Sequence, residues 1–242
     1  MILATIGYSV LYIFVMWAIA TTYRNGLLSM GVVRTTVNRR FVILLGLFAV
    51  WTSYLYFIGE SGYLWHFGMP PRFLLLIFLP LIIILTIIFI RNRKKAIFNA
   101  IPKEKVIYFQ SFRILVELLI LSTYLEGVFP IETTFEGYNF EIVVAILAPI
   151  VAYLVYTKKR LSENVALAFN FLGLATLGII IFIVITALYV PDFWGAQEPK
   201  IKEDFSHIPY LFLPGFIAPA AIFAHIFSIL QIQKSKRISA EN

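Results

Sequence analysis

Seven apolar runs, each close to the length that crosses a bilayer, constrain this chain more than any other feature. They occupy roughly Ile2–Thr21, Phe41–Ile58, Phe73–Ile90, Val106–Leu125, Phe140–Tyr156, Val165–Val190 and Tyr210–Ile232. A helix needs about 20 residues to cross the hydrocarbon layer. Without water there, the backbone must satisfy its own hydrogen bonds, which leaves helices or a closed barrel. Continuous apolar runs of this length predict an all-α, polytopic membrane protein with seven transmembrane helices in one bundle. Only 14% of the residues are charged, where a soluble domain carries about 25%, and this excludes a water-soluble fold. The expected organisation is a single transmembrane domain over residues 1–242 that ends in a short cytoplasmic tail, 233–242. Ala18-Ile19-Ala20 resembles a signal cleavage site, but no basic segment precedes this run and its apolar core is long, so it is read as a retained helix.

Loop charge gives an orientation. Arg24, Arg34, Arg39 and Arg40 fall between the first two runs; Arg91, Arg93, Lys94, Lys95, Lys103 and Lys105 between the third and fourth; Lys158, Lys159 and Arg160 between the fifth and sixth; Lys234, Lys236 and Arg237 after the seventh. The alternate side holds only Arg72, Lys200 and Lys202. The positive-inside rule then predicts the N-terminus outside and the C-terminus cytoplasmic. Nine acids, Glu60, Glu126, Glu132, Glu136, Glu141, Asp192, Glu198, Glu203 and Asp204, are assigned to the outer side. The net charge of +7 is thus a product of membrane topology. Its expected partners are membrane lipids, with anionic headgroups against the basic inner rim, and no nucleic acid.

The fourth run breaks the apolar rule. At 100° per residue, Gln110, Glu117, Ile120 and Tyr124 share an arc with Arg113, while Phe112, Leu115 and Leu119 lie opposite. An arginine near the centre of a span costs about 2.5–3.5 kcal/mol on the insertion scale, so this stripe must face protein. An i,i+4 pair of Arg113 and Glu117 offsets part of that cost. Counting depth at about 1.5 Å per residue puts Asn170 and His225 on nearly the same level as Arg113. The expected ligand-binding candidates are therefore Gln110, Arg113, Glu117, Asn170 and His225, because ionisable groups inside a membrane are functional candidates by default. The competing reading is a structural ion pair bonded to neighbouring helices.

Pro80, Pro149, Pro214 and Pro219 fall inside the third, fifth and seventh runs, where each removes a backbone donor and can kink its helix. On the outer side, His66, Glu132, Glu136 and His207 supply the donor types of a two-histidine-plus-carboxylate zinc site. No HExxH or comparable spacing supports that site, and the expected cofactor is none. No lysine lies in any span, which excludes a retinal Schiff base of the rhodopsin type. No catalytic motif or phosphate loop occurs, and the absence of cysteine removes disulfides and thiolate chemistry.

The segments FRILVE at Phe112–Glu117, TFEGYNFEIVVAILAP at Thr134–Pro149 and PYLFLPGFIAP at Pro209–Pro219 are similar to a family of uncharacterised bacterial seven-helix integral membrane proteins. The resemblance runs from about Ile101 to the end of the seventh run. It implies a multi-pass protein of the bacterial inner membrane and no assigned activity, so whether the chain is an enzyme stays open. The polar stripe leads to the expectation of a small-molecule carrier or binding protein that takes an anionic or amphipathic ligand at Arg113. The rival expectations are a membrane-embedded enzyme acting on a lipid-like substrate and a non-catalytic sensor or assembly subunit.

Overall fold

The computed structural model describes residues 2–65, 67–93 and 95–241, with side chains from 4 to 236 apart from 66 and 94. Among the described residues there are helices and turns and no strands. The helices are α1 (Ile2–Ser29), α2 (Arg34–Glu60), α3 (Leu74–Asn92), a short α4 (Ala96–Ala100), α5 (Lys103–Leu125), α6 (Glu141–Thr157), α7 (Glu163–Tyr189) and α8 (Leu213–Lys236, its helix continuing to Glu241). Of these, α1, α2, α3, α5, α7 and α8 are long and apolar enough to cross a membrane. The apolar α6 is shorter, about 25 Å at 1.5 Å per residue.

Large apolar side chains such as Ile13, Trp17, Val42, Leu47, Val50 and Ile87 lie exposed on the outside of these helices. In water such a surface would drive association, and in hydrocarbon it is the expected exterior. α5 is the central element, packed against α1, α6 and α8, while α7 lies against α6 and α8, and α2 lies along α1.

The three helices that carry internal prolines also carry the π turns, at Leu74–Phe78 in α3, Tyr153–Thr157 in α6 and Leu213–Ile217 in α8. A proline lacks the N–H that would bond the carbonyl four residues earlier, and in hydrocarbon that carbonyl must find another donor. Helix α2 provides it twice. The Tyr54 hydroxyl donates to Leu76 O (2.7 Å), four residues before Pro80, and the Trp51 indole N–H donates to Gly215 O (2.8 Å), four before Pro219.

The segment between α5 and α6 corrects one expectation. Glu141, counted with the outer-side acids, is 3% exposed and turned into the bundle, and Thr133, Thr134 and Asn139 are buried with it. This loop can enter the interior because it satisfies its own backbone: Gly137 N donates to Thr134 O (3.0 Å), Tyr138 N to Glu132 O (3.2 Å) and Asn139 N to Thr134 O (3.2 Å). Gly137 is required there, since a Cβ would lie 2.8 Å from Glu132 Cα and overlap Ile131 O.

Candidate intramembrane polar site

Helix α5 tightens into a 3-10 turn at Gln110–Phe112 just before Arg113. Arg113 is 2% exposed and is the largest of the fully buried side chains. Its guanidinium forms an ion pair with Glu141 through Nη2 and Oε2, so the start of α6 reaches the middle of α5. On its other branch, Arg113 Nη1–H donates to His225 Nε2 (3.0 Å). His225 Nδ1 in turn lies 2.9 Å from Asn170 Oδ1, and Asn170 Nδ2 donates to Ser228 Oγ (2.8 Å) and Ala166 O (2.7 Å).

This chain of bonds assigns the imidazole. The Asn170 amide uses its nitrogen on two acceptors, so its oxygen faces the ring and Nδ1 carries the hydrogen; Nε2 is then free to accept from arginine. His225 is therefore a neutral link between a cation and an amide. Gly173 makes room for it, because a Cβ at that position would overlap the imidazole.

Glu117 lies one turn beyond Arg113 on α5 and interacts electrostatically with it. Its Oε2 accepts from Asn139 Nδ2 (2.7 Å), while Asn139 Oδ1 accepts from the Glu141 backbone N–H (3.0 Å). One asparagine thus ties the Glu117 carboxylate to the backbone at the start of α6. Gln110 is also buried, and its Nε2 donates to Ala221 O (3.1 Å) of α8.

Beside this cluster opens a cavity between α3, α5, α7 and α8, with a volume of about 100 Å³. Phe78, Val184, Leu213 and Ile217 belong to its apolar walls, and Arg113, Glu117 and Glu141 are its charged residues. Arg113 Nε and Glu141 Oε1 are buried without a hydrogen-bond partner, and Arg113 Nη2 has none beyond its ion pair with Glu141. The π turns of α3 and α8 both contribute wall residues, so the proline distortions shape the cavity directly.

Of the residues expected at a ligand site, Arg113, Asn170 and His225 are joined by hydrogen bonds, Glu117 adjoins them, and Gln110 points to α8. Asn139, Glu141 and Ser228 were missed. Ser228 follows His225 by three positions, a helical spacing that put it within reach, and Asn139 and Glu141 open an apolar run as a cap and first-turn acid do. The outer-side residues do not come together. Glu132 pairs with Lys200, Glu136 is exposed, and His207 Nδ1 lies 3.7 Å from Glu60 Oε1. His66 lies outside the described residues. Among the described residues no group of three or more histidine, cysteine or acidic side chains is placed to hold a metal ion.

Compared with known proteins, the chain matches no family model, no curated protein and no solved structure.

Proposed function

We propose that this protein is an integral membrane binding protein or carrier for a small amphipathic molecule, which seats its chain among the apolar walls and its head on the Arg113–Glu117–Glu141 cluster. The observation that carries the reading is the juxtaposition itself: an apolar cavity, in helices apolar enough to lie in a bilayer, with three charged side chains at one place. Binding sites of this kind are mostly apolar with a few convergent polar groups. A carrier reading is favoured over catalysis by His225, because both of its ring nitrogens are already engaged.

In the same proposal α6 is the seventh crossing, with the N-terminus outside, the C-terminus cytoplasmic and the whole chain one domain in a bacterial inner membrane. The supporting observations are loop charge and the inward loop before α6, which lets a helix of about 25 Å complete a crossing that starts below the outer surface. The chain has no cysteine, so single variants Glu198→Cys and Lys158→Cys report topology cleanly. A membrane-impermeant maleimide should label the first and not the second in intact cells; the reverse pattern would overturn the orientation.

The function is tested by extracting small molecules from the purified protein and from Val184→Trp, which fills the cavity. A long-chain amphiphile enriched by mass spectrometry in the parent protein and lost in the variant supports the reading. Identical extracts from both would refute it.

A further inference from the structure

Charge counting on the cavity residues points to the chemistry of the head. Arg113 contributes one positive charge, Glu117 and Glu141 one negative charge each, and His225 is neutral by its hydrogen bonds. The cluster is formally one negative charge in excess, in surroundings where an unbalanced charge is costly. Both terminal nitrogens of Arg113 are already engaged, Nη2 by Glu141 and Nη1 by His225, so only its inner Nε–H is left without a partner. The free acceptor is Glu141 Oε1, which is buried and without a partner. Glu117 keeps one oxygen on the Asn139 amide. The titratable groups that interact with Glu117 are Arg113 on its own helix and Tyr8 from α1; Glu141 from α6 lines the same cavity, and His225 from α8 faces Arg113. None of these except Arg113 supplies a positive charge.

We infer that the cavity selects an amphiphile with a primary ammonium head, which binds between Glu117 and Glu141 Oε1 in exchange for one proton. The inference rests on the cavity reading above. In the empty site one proton sits on the carboxylate pair and balances the cluster. When the ammonium enters, that O–H bond breaks and the proton leaves to water; the ammonium keeps its three hydrogens and donates them to the carboxylate oxygens. Total charge in the site is the same before and after. A carboxylate or phosphate head would instead add a second excess negative charge.

The test uses the full chain in phosphatidylcholine nanodiscs, which offer no ammonium N–H, and three probes with the same saturated chain and an amine, alcohol or carboxylate head. Titration calorimetry in two buffers of different ionisation enthalpy reads affinity and proton release together. The expected result is amine binding about tenfold or more tighter than carboxylate, with about one proton released per amine bound. Glu117→Gln should lose both the amine preference and the proton release, with its folded state shown by a cooperative unfolding transition in mixed micelles. Competition by added phosphatidylethanolamine would identify the head as that of a bilayer lipid, and its absence would identify a free amine; either agrees with the inference. Equal affinity for the three probes, tighter carboxylate binding, or amine binding without proton release would overturn it and leave the cavity reading standing. Failure of all three to bind would overturn the cavity reading as well.

Discussion

Replacing Glu141 alone should harm the protein more than replacing Glu141 and Arg113 together. Both side chains are almost fully buried, at 3% and 2% exposure, and they are joined as an ion pair. Breaking a buried pair from one side costs about 3–5 kcal/mol, because the surviving charge is left without its counterion. Glu141→Leu leaves Arg113 with Glu117 as a neighbouring charge, which places the loss near the lower end, about 3 kcal/mol. Arg113→Met leaves two carboxylates and no cation, which places it near the upper end, about 5 kcal/mol. The double variant removes the pair and leaves Glu117 to carry the one proton that the cluster holds in the empty site, so no unpaired charge remains and its Asn139 bond is kept; its main new cost is the lost hydrogen bond to His225, about 1–3 kcal/mol. Unfolding by increasing mole fraction of sodium dodecyl sulfate in mixed micelles, followed by tryptophan fluorescence, gives the four stabilities of the cycle. The double variant should be more stable than either single one. Losses that simply add would show that Arg113 and Glu141 do not depend on each other, and would refute the account of the site.

Three further outcomes follow from particular contacts. Trp51→Phe removes the indole donor to Gly215 O and should cost about 1–2 kcal/mol; adding Pro219→Ala, which restores a backbone N–H for that carbonyl, should recover part of it in the same assay. Gly173→Ala forces a Cβ into the His225 ring and should cost about 1–3 kcal/mol, whereas Gly178→Ala on the same helix, with open space at its Cβ, should be near neutral. In the segment before α8, burial and the neighbouring Glu126 raise the pKa of Tyr210, whose hydroxyl donates to Glu126 Oε2 (2.9 Å). The folded state then holds this proton more tightly than the unfolded state, so its contribution is complete below the ordinary tyrosine value of about 10 and is lost as pH rises beyond it. Stability measured from pH 8 to 11 should fall at the alkaline end less steeply in Tyr210→Phe than in the parent protein.

The long apolar runs made the helices legible, because a span leaves a continuous signal some 20 residues long. The polar stripe of α5 was legible for the same reason: Arg113 and Glu117 stand out against a background that tolerates almost no charge. Depth counting worked for Asn170 and His225 because helices cross the layer with a nearly constant rise. It could not work for Glu141. Charge rules treat an acid at the very end of a run as part of the solvated rim, and they have no way to register that the loop before it bonds its own backbone and turns inward. The partner of Arg113 was therefore sought four residues along its own helix, while the structure supplies it from the next one.

The prolines complete the physical account of the cavity. Alone, Pro80 and Pro219 would each leave a carbonyl unsatisfied in hydrocarbon, a cost that would favour straightening the helix elsewhere or admitting water. Trp51 and Tyr54 are three residues apart, on one face of α2, with ring centroids 5.1 Å apart. One face of one helix therefore holds two distorted neighbours, α3 and α8, by donors aimed at the carbonyls that the prolines release. Those two helices carry opposed parts of the cavity wall, Leu74 and Phe78 on α3 against Leu213 and Ile217 on α8. The width of the cavity thus depends on bonds made outside it, by residues that touch none of its charged groups.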